Sequence, residues 1–250
     1  MLTALLSGRV MADRHGADRP SVVALHGWRR DSSDFRGVLA GQQALAFDLP
    51  GHGTTAPPET AWGSPEYAQL VIEALDGHAA APVTLVGHSF GGRVAVHVAA
   101  QRPDLVGSLI LTGVPLYRRS AAPATPPLAF RAARALHRRK LISDAFMDAM
   151  RDRYGSADYR ATSGTMRAIF VKLVNENYDD ALAAISKNGV PVQLVWGGND
   201  TEVPVSVAER IAAAIPQAQL RVVPDSGHLI DDALTAALRD AIARSSAASR

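Results

Sequence analysis

Six consecutive residues constrain this chain more than any others: Gly87-His88-Ser89-Phe90-Gly91-Gly92. They follow directly on the apolar run Val83-Thr84-Leu85-Val86 and lead directly into a helix-forming stretch that ends near Gln101. A serine caught in a tight turn from strand to helix has strained backbone angles, so its neighbours must be small. Gly87 and Gly91 let the strand and helix close around it. The turn lifts the Ser89 hydroxyl above the sheet edge, and the helix N-terminus beneath it favours developing negative charge. A glycine-rich turn with an incidental serine is the plain alternative, and correct flanks on both sides argue against it.

The rest of the chain repeats the same rhythm. Apolar runs occur at Val22-Val23-Ala24-Leu25, Ala44-Leu45-Ala46-Phe47, Leu109-Ile110-Leu111, Val192-Gln193-Leu194-Val195-Trp196 and Leu220-Arg221-Val222-Val223. The N-terminal nine residues also read as a strand, with neither the basic start nor the long apolar run of a secretion signal. Helical patterns fall at 65–77, 91–101, 205–214 and 229–243. Strands apolar throughout and spaced by helices predict a mostly parallel central sheet flanked by helices, an α/β fold. Between 115 and 189 the strand rhythm stops. A proline-rich opening, Ala122-Pro123-Ala124-Thr125-Pro126-Pro127, is followed by helical patterns at 128–141, 144–154 and 165–175. The expected organisation is a core domain in two parts, 1–114 and 190–250, with a helical insertion over 115–189.

Composition narrows the chemistry. The 250 residues include no cysteine, which removes thiol catalysis, cysteine–zinc sites and disulfides together. A formal net charge of +2 is too small to suggest nucleic-acid binding over the whole surface. No apolar stretch approaches the roughly 20 residues of a membrane span. A cytoplasmic protein is the expectation.

A serine hydroxyl needs a base to take its proton. Of eight histidines, His228 is the candidate, because Pro224-Asp225-Ser226-Gly227-His228 follows the last strand and precedes the last helix. That places it at the carboxyl edge of the sheet, with Ser89. His88 reads as structural, and His15, His78 and His97 as ordinary surface or helix residues. The base needs an acid to hold its tautomer. Asp200 ends Trp196-Gly197-Gly198-Asn199-Asp200, the turn after another strand. A helix-capping role is its plain alternative, and Asp225, Asp231 and Asp232 are weaker choices because the loop would have to fold back on itself. Backbone N–H groups must then meet the carbonyl oxygen as charge develops. Phe90, after the serine, and Trp28, in His26-Gly27-Trp28 after an early strand, are the candidates. Asp48-Leu49-Pro50-Gly51-His52-Gly53 reads as a structural turn shaping the sheet edge.

Together these segments resemble the α/β-hydrolase superfamily, in its cap-bearing, esterase-like and C–C-bond-hydrolase-like branch. The resemblance rests on His26-Gly27, Asp48-x-Pro-Gly-x-Gly, Gly87-x-Ser-x-Gly-Gly, Gly198-x-Asp and Gly227-His228. It implies an α/β-hydrolase fold with a helical cap and a Ser89–Asp200–His228 triad in that chain order. It also implies an oxyanion hole at Trp28 and Phe90, with no metal or organic cofactor. The expected reaction is hydrolysis of a small-molecule ester or related carbonyl compound. C–C bond hydrolysis of a β-diketone-like substrate, with Arg167, Lys172 and Asn175 holding a carboxylate, is an alternative, as is a ligand-binding protein that has lost turnover. Trp28, Phe90, Tyr117, Phe130, Phe146 and Phe170 are the candidate lining of an apolar pocket.

The insertion is basic. Between Asp104 and Asp144 there is no acidic residue, while Arg118, Arg119, Arg131, Arg134, Arg138, Arg139 and Lys140 fall there, with His137. Arg131, Arg134 and Arg138 share one helix face, and Leu128, Ala132, Ala135, Leu136 and Leu141 are the expected buried stripe. Three readings stay open: a solvated face, which is what charge runs usually are, a patch attracting an anionic substrate, or loose association with an anionic membrane surface. Oligomeric state is open, a homodimer included.

Overall fold

The computed structural model describes residues 1–16, 19–117, 128–154 and 157–248. Eight strands form one sheet: β1 (Leu2–Leu5), β2 (Val10–His15), β3 (Val22–Leu25), β4 (Ala44–Asp48), β5 (Val83–His88), β6 (Val106–Thr112), β7 (Val192–Gly197) and β8 (Gln219–Val223). Their order is β1-β2-β4-β3-β5-β6-β7-β8. From β4 across to β8 all pairings are parallel, while β1 and β2 form an antiparallel edge. The helices are α1 (Ser64–His78), α2 (Phe90–Gln101), α3 (Leu128–Arg138), α4 (Asp144–Tyr154), α5 (Ala157–Arg160), α6 (Gly164–Leu173), α7 (Asp179–Asn188), α8 (Val205–Ala214) and α9 (Asp232–Ala248).

The pleat sorts each strand's apolar run between two faces. Val22, Ala24, Ala44, Ala46, Val86, Ile110 and Val195 build one core with Phe35, Val38 and Leu39 and with Leu234, Leu238 and Ile242 of α9. The intervening residues, Val23, Leu25 and Leu85, are fully buried too, and α2 lies against β3 and β5. Burial on both faces explains why these strands read as continuous apolar runs.

Two stretches depart from the sequence reading. The N-terminal run is a strand only to Leu5; Leu6 and Ser7 then adopt left-handed backbone angles and the chain returns as β2. The stretch before β7 also holds two more helices, the single-turn α5 and α7, the second of which ends at Gly189 with φ 70°, a conformation that costs glycine little.

The chain divides into two compact units. One contains the sheet and comprises Met1–Pro58, Trp62–Arg118 and Glu176–Arg250. The other comprises Glu59–Ala61 and Arg119–Asn175, with α3 to α6. The insertion expected over 115–189 is thus narrower as a compact unit, because α7 packs on α2 and α8 in the sheet unit. Arg118, Arg119 and the proline-rich 122–127 lie outside the described residues.

The expected buried stripe of α3 is overturned. Leu128 is 77%, Leu136 40% and Leu141 65% exposed, while Ala133 is the buried position. Periodicity shows which side chains share a face; it does not show whether anything covers that face. Here Ala133 is buried and Phe130, Ala135 and His137 are half-buried, while Ala132 and the leucines of the expected stripe are exposed.

Candidate active site

The carboxyl ends of parallel strands are where an open α/β sheet gathers its loops and binds ligands. Ser89 follows β5, Asp200 follows β7, His228 follows β8, and Trp28 follows β3. The three polar side chains meet. His228 Nδ1 lies 2.8 Å from Asp200 Oδ2, and His228 Nε2 lies 3.2 Å from Ser89 Oγ. With the Nδ1 proton donated to the carboxylate, Nε2 is left to accept from the serine hydroxyl.

Each member is held by its own local structure. Ser89 has φ 48° and ψ −112°, outside the usual range of a residue with a side chain. The strain is contained by neighbouring backbone. Ser89 N–H donates to Thr112 O on β6, and Gly91 N–H donates to His26 O at the end of β3. A Cβ on Gly91 would stand 2.1 Å from Leu25 O, so only glycine permits α2 to start this close to β3. The Gly91–His26 bond also brings the segment bearing Phe90 beside the one bearing Trp28.

Asp200 is 5% exposed. Its Oδ1 accepts from Glu202 N–H and Val203 N–H at 2.9 and 2.7 Å, which leaves Oδ2 to His228. The turn is locked further by Trp196 Nε1, which donates to Val203 O at 2.8 Å. Among the rival carboxylates, Asp231 is used locally: its Oδ1 accepts from Ser226 Oγ and from Leu234 N–H at the start of α9.

Histidines form the floor of this edge. His88 Nε2–H donates to the backbone carbonyl of His228 at 3.0 Å, tethering the loop that carries His228 to the turn that carries Ser89. Burial, reinforced by the nearby His228, pushes His88 down to about 4. His26 Nδ1–H donates to Gly27 O, and Nε2 accepts from Leu49 N–H, joining the loops after β3 and β4. His52 is likewise pushed down to about 4, by burial first and by His26 second. Its ring lies 4.8 Å from Trp28 and 5.5 Å from Phe90. Asp48 accepts from Ser32 N–H and from both Thr54 N–H and Thr54 Oγ1. Burial pushes its pKa up, but these donors together outweigh that and lower it. The Asp48–Gly53 turn is therefore a structural brace.

Sequence reasoning did not assign the braces at His26 and His52, nor Glu202, whose exposed carboxylate lies 3.5 Å from His228 Nε2. The histidine of His26-Gly27 was the available signal.

The pocket candidates separate. The Phe90 ring is 3% exposed and sits among Trp28, His52 and Tyr67. Tyr117 lies under the Arg210 guanidinium, 3.9 Å from its ring centre. Phe130, Phe146 and Phe170 belong to the second unit, on α3, α4 and α6, with Phe146 52% exposed. Arg167 Nε donates to Thr162 O, Lys172 Nζ to Ala61 O and Asn175 Nδ2 to Val171 O, all within that unit.

Residues 22–241 match the profile of the Alpha/beta hydrolase family. The chain belongs to that family. An esterase of Mycobacterium tuberculosis is 38% identical over 111 residues, 43% of this chain and 37% of the esterase, so the match spans little over a third of that protein. A 2-hydroxy-6-oxononadienedioate/2-hydroxy-6-oxononatrienedioate hydrolase of Cupriavidus pinatubonensis is 28% identical over 88% of this chain and 84% of its own. Among solved structures, a serine hydrolase involved in carbazole degradation superposes with a TM-score of 0.71 at 20% identity, covering 99% of both chains. That likeness supports the alpha/beta hydrolase fold. Among the described residues, no helix is long and apolar enough to cross a membrane.

Proposed function

We propose that this alpha/beta hydrolase cleaves a small-molecule ester or related carbonyl compound through an acyl-enzyme on Ser89. The observation that carries the reading is the Ser89–His228–Asp200 relay, at 3.2 and 2.8 Å, on a strained turn at the carboxyl edge of the sheet. Ser89 Oγ attacks the carbonyl carbon as His228 Nε2 takes its proton. The N–H groups of Phe90 and Trp28 receive the oxyanion. His228 then protonates the departing alcohol, and the acyl group stays on Ser89. Water, losing a proton to His228, attacks the acyl carbon; the acid leaves and the proton returns to Ser89. Asp200 holds the Nδ1–H tautomer and stabilises the imidazolium.

A p-nitrophenyl ester series with wild-type protein, Ser89→Ala and Asp200→Asn tests this. Ser89→Ala should cost about 10⁴–10⁶ in turnover, and Asp200→Asn about 10⁴ with an unchanged fold. Full activity in Ser89→Ala would overturn the reading. The Cupriavidus relative, matched over most of its length, favours a second reading, C–C bond hydrolysis with the same three residues. Turnover of a 2-hydroxy-6-oxo-dienoate with every ester inert would select it.

A further inference from the structure

We propose that α3 is a docking helix for an anionic lipid surface. The helix displays two exposed stripes side by side. At 100° per residue, Leu128, Ala132 and Leu136 fall along one line, and all three are exposed. Arg131, Arg134 and Arg138 fall along the adjacent line and are exposed as well. Ala133 is turned inward and buried, so the leucines are not the side by which α3 holds to its own unit. Just past the helix, Arg139 and Lys140 extend the charge and Leu141, 65% exposed, extends the apolar line. The backbone turns there with Lys140 at φ 57°. Leu141 N–H donates to Leu136 O, so Leu141 stays close to the leucine line. On the neighbouring α4, Phe146 is 52% exposed.

The charge pattern selects the occupant. From 105 to 143 the sequence has no acidic residue. The acidic residues of α4 are Asp144, Asp148 and Asp152, beside Arg151 and Arg153. An apolar line flanked by arginines, with no carboxylate among them, is what an interfacial helix needs: leucines enter the acyl boundary while guanidinium groups stay at anionic headgroups. A second copy paired antiparallel through its leucine line fits poorly, because the two arginine lines would then lie on the same side of the seam. A polyanion such as nucleic acid would use the arginines and leave the leucines in water. This inference is independent of the catalytic reading.

The test is vesicle flotation of the full chain, with phosphatidylcholine vesicles and with vesicles in which about a third of the lipid is anionic phosphatidylglycerol, whose negative surface attracts basic residues. The wild-type chain should bind the anionic vesicles roughly a hundred-fold more tightly or better, and salt at about 0.5 M, which shortens the Debye length to about 4 Å, should abolish most of the difference. Arg131→Gln/Arg134→Gln/Arg138→Gln should lose roughly a hundred-fold, each basic residue near the surface being worth about five-fold. Leu128→Ser/Leu136→Ser, which keeps every charge, should lose about ten-fold or more. Far-UV circular dichroism of each variant in solution checks that the helices persist. Three results would overturn the proposal: equal binding to both vesicles, heparin retention without vesicle binding, or concentration-dependent self-association that the leucine variant removes.

Discussion

The turn around Ser89 and the helix α3 are held in place in opposite ways. At the turn, every neighbour is close and most are backbone: Leu25 O faces Gly91, Thr112 O takes the Ser89 N–H, and the His228 carbonyl is gripped by a buried imidazole. On α3 a single small residue, Ala133, is buried, while leucines and arginines face outward. The first region tolerates no added atom and holds a backbone that alone would relax. The second has side chains to spare for something outside the molecule. Mutational sensitivity should therefore differ sharply between them.

The largest effect is expected at Gly91. Gly91→Ala would drive a methyl into the Leu25 carbonyl, and neither α2 nor β3 can retreat without breaking the Gly91–His26 bond. A loss of about 4 kcal/mol or more, or failure to fold, is the expected outcome, read from urea unfolding. A loss under about 1 kcal/mol would mean that the turn is looser than its contacts imply.

Next comes acid. His88 and His52 titrate near 4 in the fold against 6.5 unfolded, so below pH 6.5 the unfolded chain takes up protons that the native chain refuses. Stability should be fully present above about 6.5 and decline as pH falls toward 4, by roughly 3 kcal/mol for each histidine. The carboxylates with lowered values, Asp31, Asp48 and Asp104, lose their contribution below that window. Urea midpoints across pH 4–7 (about the unfolded histidine range) check this, and His88→Gln should flatten the slope by about one proton. An unchanged slope would remove His88 as a buried neutral brace.

The smallest effect is expected on α3, where Leu136→Ala should shift stability by no more than about 0.5 kcal/mol. A loss above about 2 kcal/mol, typical of a core leucine, would place that side chain in a core after all. The same thermal or urea measurement reads both regions, so the contrast is internal to one protein.

Much of the sheet edge was legible because its signals are local and redundant. Ser89 was marked by a strand before it and a helix after it, and Asp200 and His228 by their positions after later strands. The loops' mutual bracing was not legible. His88 meets a carbonyl 140 residues away, and nothing in a single histidine announces a partner at that distance. β2 escaped because its sequence, Val10-Met11-Ala12-Asp13-Arg14-His15, mixes charges with apolar residues, as an antiparallel strand near an edge does. α7 carried usable signals, acidic residues in its first turn and Gly189 after its last. The side of α3 that is covered was not legible either, because an amphipathic pattern carries no sign of what lies against it, and its leucines are exposed.

α7 also has a consequence for how this chain can change. β6 and β7 are parallel neighbours, Leu109 beside Val192, and a parallel pair needs a crossover between them. α7, seated on α2 and α8, makes that crossover within the sheet unit itself. The segment from Arg119 to Asn175 is thus spliced into a strand–helix–strand motif that is complete without it. A change of length in that segment therefore falls outside every strand of the sheet and outside the loops that carry Ser89, Asp200 and His228.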